Sequence, residues 1–258
     1  MQRPNKPQVV FITGASSGLG AALARHYGEQ GAILGLCGRR AKALEEVTFG
    51  LNAHCYIADV RNAQAMQEAA QSFIRAAGAP DIVIACAGIS VGTLTEEKED
   101  LAVFEAVMDA NVTGLVQTFH PFISAMKARG TGILCGISSV AGIRGLPGGG
   151  AYSASKAAAR VYLESLRLEL KSTGISVVSV LPGYIGTPMT EVNPYPMPFK
   201  LSAEHAAQRI ARLIEKRCAE SVIPWQMAIV AMLLRCMPRA IYDRLFEKAP
   251  RKPRNLPT

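Results

Sequence analysis

Short apolar runs rich in β-branched residues recur along the chain, at 9–13, 32–38, 54–58, 81–85, 132–137, 175–181 and 221–223. Runs of this length, apolar at most positions, read as strands, and Val9-Val-Phe-Ile-Thr13 reads as a buried one. Between them, longer stretches at 62–77, 101–127, 152–172 and 203–216 read as helices. Strand and helix alternate without a break. That order predicts one α/β domain, a doubly wound seven-stranded parallel sheet with helices on both faces. A length of 258 residues suits a single domain. Residues 1–224 are expected to form its body. Residues 225–258 read as a distinct apolar, then basic, helical tail, either part of the same domain or a membrane or subunit contact.

The first strand leads into Gly14-Ala-Ser-Ser-Gly18-Leu-Gly20 and then into a helix-forming run from Ala21. Strand, glycine turn and helix make a Rossmann-type dinucleotide site. Glycine lets the backbone approach a pyrophosphate, and the helix N-terminus presents free N–H groups. Gly14, Ser16, Ser17, Gly18, Leu19 and Gly20 are therefore candidate cofactor contacts. The spacing is G-x-x-x-G-x-G, not the G-x-G-x-x-G of many dehydrogenases. A plain flexible turn is the alternative.

Further along, Tyr152 and Lys156 stand four residues apart, downstream of Ser138-Ser139. On a helix, positions i and i+4 share a face. An ammonium beside a phenol favours the phenolate and should lower its pKa from about 10. Such a phenol can exchange a proton with an alcohol or carbonyl oxygen near neutral pH. The spacing alone is common on surface helices; its weight comes from the glycine motif upstream.

Together these segments resemble the short-chain dehydrogenase/reductase family, over almost the whole chain to about residue 190. Thr13 to Gly20 matches the family's cofactor motif. Ser139, Tyr152 and Lys156 match its catalytic serine, tyrosine and lysine, and Asn111 matches its catalytic asparagine. Pro182, Gly183, Ile185 and Thr187 resemble the segment flanking the nicotinamide, and Asp59-Val60 the pair contacting adenine. Asp59 could instead cap the next helix. The resemblance implies hydride transfer. Tyr152 would act as acid/base and Ser139 would hold the substrate oxygen. Lys156 would bind the nicotinamide ribose, and Asn111 would hold a water that connects Lys156 to solvent. Ser138 is the competing hydroxyl, but the spacing favours Ser139. In one place the pattern departs: Cys86 stands in Ala85-Cys-Ala87-Gly88 where the family has asparagine. Ala87 and Gly88 still permit close approach to a cofactor. A modest change in stability is expected there, not a nucleophilic cysteine.

Cofactor choice follows from the end of the second strand. An acidic residue there would accept from the ribose hydroxyls and favour NAD(H). Gly38 occupies the position, and Arg39 and Arg40 follow. Guanidinium forks suit a 2′-phosphate, so NADP(H) is expected over NAD(H). The segment after Gly183 is apolar and proline-rich (Pro194-Tyr-Pro-Met-Pro198). It reads as a loop; the resemblance implies that it lids the substrate, with the glycine-rich stretch 145–150 as the opposite wall, and its apolar side chains favour an apolar carbonyl or alcohol.

Composition narrows the rest. Hydrophobic residues make up 49%, enough for a sizeable core. The N-terminal stretch 1–7 is polar and lacks a secretory apolar segment, so a cytoplasmic location is expected. Six scattered cysteines without C-x-x-C read as reduced core thiols. The four histidines show no ligand spacing, and no metal site is expected. The tail holds seven cations against two acids in a chain of net charge +8. Its apolar run 225–234 is too short to span a bilayer, which takes about 20 residues. It could lie on an anionic membrane surface, cover the substrate mouth or meet another subunit. Nucleic acid is disfavoured, because the charge follows an apolar helix and lacks interleaved aromatics. A homodimer or homotetramer is implied by the resemblance. Two functions stay open: an NADP(H)-dependent oxidoreductase, or a non-catalytic nucleotide-binding regulator on the same fold.

Overall fold

The computed structural model describes residues 6–254. The first five residues of the polar N-terminal stretch and the last four of the tail lie outside them. The chain runs β1 (Val9–Thr13), α1 (Gly18–Glu29), β2 (Ile33–Gly38), α2 (Ala41–Thr48), β3 (Ala53–Ile57), α3 (Ala63–Ala77) and β4 (Ile82–Ala85). It continues through α4 (Asp100–Met108), α5 (Gly114–Arg129), β5 (Gly132–Ile137), α6 (Gly150–Glu169) and β6 (Ile175–Pro182). Beyond these come β7 (Ile185–Gly186), α7 (Pro188–Glu191), β8 (Leu201–Ser202), α8 (Ala203–Glu215), β9 (Glu220–Ile223), α9 (Trp225–Cys236) and α10 (Arg239–Phe246).

Among the described residues, the main sheet has seven strands in the order β3-β2-β1-β4-β5-β6-β9. Every pairing in it is parallel. The expected seven strands are all present, with ends within a residue of the sequence reading. Successive residues of a strand point to opposite faces, and β1 shows what that does. Val10 and Ile12 enter a core under α1, α2 and α8. Val9 and Phe11 enter a second core under α3, α5 and α6. In the second core the Phe11 ring lies 4.7 Å from Phe122 and 5.4 Å from Phe73, centroid to centroid. A strand buried on both faces has no polar side to show, which explains the continuous apolar runs.

Two expectations need correction. The helix read over 101–127 is not continuous. A π turn at Asp109–Thr113 separates α4 from α5 and carries Asn111. The apolar spacing runs through it unchanged, so periodicity does not reveal it. The cysteines are all free, but only Cys37 and Cys135 are fully buried, and Cys55 and Cys236 are exposed. β3 is an edge strand with one open face, and Cys236 ends α9 on the surface. The β7–β8 pair and α7 frame the proline-rich loop, which is a loop as expected.

The tail packs on the body. Met227 and Ala231 of α9 join Val140 in a small apolar cluster. Gly183 makes room for this helix: a Cβ there would lie 2.6 Å from Met227 Cγ.

Candidate active site

Strand order reverses between β1 and β4, and in open α/β sheets ligands settle at that point, beyond the carboxyl ends of the strands. A cavity of about 510 Å³ opens there. It is lined by Gly14, Ser16, Ser17, Gly18, Leu19 and Gly20 on one side and by Arg39, Arg40, Asp59 and Val60 at one end. Ala87, Gly88, Ser139, Tyr152, Lys156, Pro182, Gly183, Ile185 and Thr187 complete the wall. Every candidate residue from the sequence is therefore at one cavity except Asn111, which sits directly behind it.

The glycine turn is shaped for close approach. Gly14 has φ +69°, and a Cβ on it would fall 2.7 Å from Ala87 Cα. A Cβ on Gly20 would overlap the carbonyl oxygen of Gly14. Gly18 opens α1 at φ +53°, so the first N–H groups of that helix face the cavity. Glycine at these positions lets the turn pack closely on Ala87, Thr187 and its own backbone, beside the N-terminus of α1, where a pyrophosphate would find free N–H groups.

At the adenosine end, Arg40 Nη2 donates to Ser16 Oγ at 3.2 Å and to the Ser16 carbonyl oxygen at 3.3 Å. Arg61 forms a bidentate pair with Asp59, with Nη2–Oδ2 at 2.7 Å and Nε–Oδ1 at 3.1 Å. That pairing holds the Asp59 carboxyl below its ordinary range. The Arg39 guanidinium is 3.8 Å from the same carboxylate. Arg61 was missed from the sequence; the Asp59-x-Arg61 spacing was its only signal.

The catalytic candidates converge at the other end. Ser138 is occupied structurally: its hydroxyl donates to the Lys156 carbonyl oxygen at 2.7 Å. Ser139 Oγ accepts from the Ala141 amide at 3.1 Å and donates to the Pro182 carbonyl oxygen at 3.4 Å, close enough to the Tyr152 phenol to ease its ionisation. Lys156 is buried. Its ammonium donates to the Ile137 carbonyl oxygen at 2.9 Å and lies 5.7 Å from the centre of the Tyr152 ring. Burial brings its pKa down to about 8.

The expected lowering of the Tyr152 pKa is not what this arrangement produces. Burial pushes the phenol above its ordinary value, and the neighbouring Ser139 hydroxyl offsets only part of that. The ammonium lies over the ring face and donates to Ile137 rather than to the phenol oxygen, and burial sets the direction of the shift.

Asn111 is also more constrained than its sequence suggests. Its Oδ1 accepts from the Ile89 amide at 2.8 Å, and its Nδ2 donates to the Ile89 carbonyl at 3.0 Å and to Ser155 Oγ at 2.9 Å. The side chain ties the loop after β4 to α6, and its two donors are spent. A Cβ on Gly88 would lie 2.8 Å from Asn111 Oδ1 and 3.5 Å from Lys156 Nζ, so this glycine is needed where the three meet.

Cys86 lines the same cavity, yet burial lifts its thiol to about 12, which leaves it inert as a nucleophile. Where the family's asparagine would tie strands together, Thr13 bridges β1 and β4: Oγ1 accepts from the Ala87 amide at 3.4 Å and donates to the Ile84 carbonyl at 3.5 Å.

A parallel sheet with a phosphate cradle at its switch point, and a serine, tyrosine and lysine beside it, is the build of the dinucleotide-dependent oxidoreductases. The sequence model for "short chain dehydrogenase" matches residues 8–195, and the chain belongs to that family. An uncharacterized oxidoreductase of Myxococcus xanthus is 34% identical over 92% of this chain and 95% of its own. Dehydrogenase/reductase SDR family member 7B of Bos taurus is 33% identical over 95% of this chain and 82% of its own. Among solved structures, a short chain dehydrogenase from Burkholderia cenocepacia in complex with NADP superposes with a TM-score of 0.82. It is 28% identical and covers 93% of this chain and 98% of its own. An alcohol dehydrogenase from Thermococcus sibiricus complexed with 5-hydroxy-NADP shares the fold, with a TM-score of 0.75 at 24% identity over 84% of this chain and 96% of its own.

Proposed function

We propose that the chain is an NADP(H)-dependent oxidoreductase that interconverts an apolar ketone and its secondary alcohol, with Tyr152 as the acid/base group. The convergence of Ser139, Tyr152 and Lys156 at the far end of the glycine-lined cleft carries this reading. A cofactor held along Gly14 to Gly20 supplies the hydride when bound. The chain's own residues supply position and the proton. Tyr152 gives its proton to the carbonyl oxygen during reduction and takes it back during oxidation. Ser139 donates to the same oxygen and holds it against the phenol. Lys156 counters the phenolate charge and holds the ribose. The Asn111 side chain is committed to Ile89 and Ser155, so it holds the loop after β4 against α6, and proton resupply to Lys156 would run through water beside it.

NADP(H) is favoured over NAD(H) because Gly38, not an acid, ends β2, and because Asp59 is engaged by Arg61. Arg39 and Arg40 line the cavity beside Ser16, where a 2′-phosphate would find guanidinium and hydroxyl donors. The NADP in the Burkholderia structure supports the same choice. Apolar substrate walls are supported by Ile89 and Met189, which line the other end.

The tail belongs to the same folding unit in this reading, since α9 packs behind Gly183. Exposed Leu101 and Phe104 on α4, with Val161 and Leu168 on α6, support a homodimer or homotetramer. Trp225, Ile229, Met232 and Leu233 form an exposed stripe on α9, near Arg239, Arg244 and Lys248. They support peripheral contact with an anionic membrane from a cytoplasmic setting. No helix among the described residues is long and apolar enough to cross a membrane.

The test is NADPH consumption with a panel of apolar ketones. Wild type should turn over at least one of them, and Tyr152→Phe should not while still binding NADPH. Equal rates in the two proteins would remove the activity from this site.

A further inference from the structure

We propose that Arg254, latched on Asp100, fixes the C-terminal strap 251–254 as the outer wall of the substrate end of the cleft and so determines which carbonyl substrates fit. This rests on the reading of the cleft as a ketone site.

Asp100 opens α4, and its side chain is only 4% exposed. Its Oδ2 accepts from the Leu94 amide at 2.7 Å and from Arg254 Nε at 2.8 Å. Arg254 Nη1 also reaches Glu97 Oε1 at 3.1 Å. A carboxylate this buried is costly without its partner, so the end of the strap is pinned by a residue 154 positions earlier.

Between these anchors the strap touches three walls. The Gly92 amide donates to the Pro253 carbonyl at 2.9 Å, and a Cβ on Gly92 would overlap the Lys252 carbonyl oxygen. Gly148, at φ +68°, leaves the place where its Cβ would come 2.9 Å from Arg251 Cβ. Lys252 Nζ donates to the Met189 carbonyl at 3.1 Å. Met189 lines the catalytic cavity. One four-residue segment therefore joins the loop after β4, the glycine-rich stretch before Tyr152, and the α7 lid.

A short ketone held by Ser139 and Tyr152 ends before this wall; a long apolar one must lie against α7 and depend on the strap. Arg254 is thus a positioning residue, not a catalytic one. The test measures NADPH-dependent reduction of cyclohexanone and 4-phenylcyclohexanone by wild type, Arg254→Ala and Arg254→Lys. Arg254→Ala should raise KM for 4-phenylcyclohexanone about tenfold with little change in kcat. Its KM for cyclohexanone and its Kd for NADPH should stay within about twofold, and Arg254→Lys should recover most of the loss. A parallel rise for both ketones, or a rise for neither, overturns the proposal. If Arg254→Ala does not fold, Lys252→Met cuts only the tie to the lid and must show the same split between the two ketones; no split overturns it.

If wild type reduces neither ketone, it is the ketone reading that has failed. Hydrogen exchange then decides the latch. Faster exchange at the Gly92 amide and across residues 188–191 in Arg254→Ala, or across 188–191 in Lys252→Met, upholds it, and unchanged exchange overturns it.

Discussion

Lys156 directs its ammonium to the carbonyl oxygen of Ile137, 2.9 Å away, rather than to the phenol of Tyr152 one helical turn before it. A buried cation on a single neutral acceptor is held against its preference for water. Its pKa of about 8, below the ordinary 10.5, expresses that cost.

The consequence for stability has a definite sign. A depressed lysine contributes stability that is fully present above 10.5 and is lost as pH falls through about 8. Lys156→Met should therefore stabilise the protein at pH 7 by about 1–3 kcal/mol while abolishing turnover. Thermal melts of both proteins at pH 7 and pH 10 check this. The gain should shrink toward the alkaline end. A variant less stable than wild type at pH 7 would show that the Ile137 hydrogen bond outweighs the burial.

Cofactor choice can be read from the adenosine end. Arg39→Ala should weaken NADPH about 10- to 100-fold and leave NADH nearly unchanged, since a charged hydrogen bond to phosphate contributes about 1.5–3 kcal/mol. Titration of cofactor fluorescence measures both constants. An unaltered preference would move phosphate recognition away from Arg39.

Asn111 should matter for folding as well as for turnover. Asn111→Ala leaves the Ile89 amide and carbonyl without partners and frees Ser155, so a loss of about 1–3 kcal/mol is expected. Chemical denaturation checks it. Stability equal to wild type would mean that water takes over all three contacts.

The exposed face of α9 and α10 makes a surface prediction. Vesicles rich in phosphatidylserine should sediment the wild-type protein and lose most of it above about 0.5 M salt, as screening removes the basic contribution. Ile229→Lys with Met232→Lys should abolish binding and leave NADPH affinity unchanged. Sedimentation that persists in the double variant would place the contact elsewhere.

How far the sequence carried depends on how local each feature is. The strands were legible because burial on both faces leaves unbroken apolar runs, and β1, β5 and β6 fall where those runs lie. The cradle was legible because Gly14, Gly18 and Gly20 sit on one strand-turn-helix connection. The π turn was not, since Asp109–Thr113 does not disturb the helical spacing around it. Nor was the balance at Tyr152: sequence places a lysine one turn away but not the carbonyl of Ile137, nineteen residues back, that takes its hydrogen bond. Arg61 on Asp59 and Arg254 on Asp100 show the same limit from two distances. Charges exposed in an extended chain look like solvated surface until the fold brings a partner to them.

The most direct measurement follows the hydride itself. NADPH deuterated at the transferable position, incubated with an apolar ketone and wild-type protein, should yield alcohol carrying deuterium on the former carbonyl carbon. Tyr152→Phe should bind the same cofactor and lose about 10²- to 10⁴-fold of that labelled product. Labelled alcohol formed equally well by both proteins, or no labelled alcohol from wild type with any apolar ketone, would contradict the account.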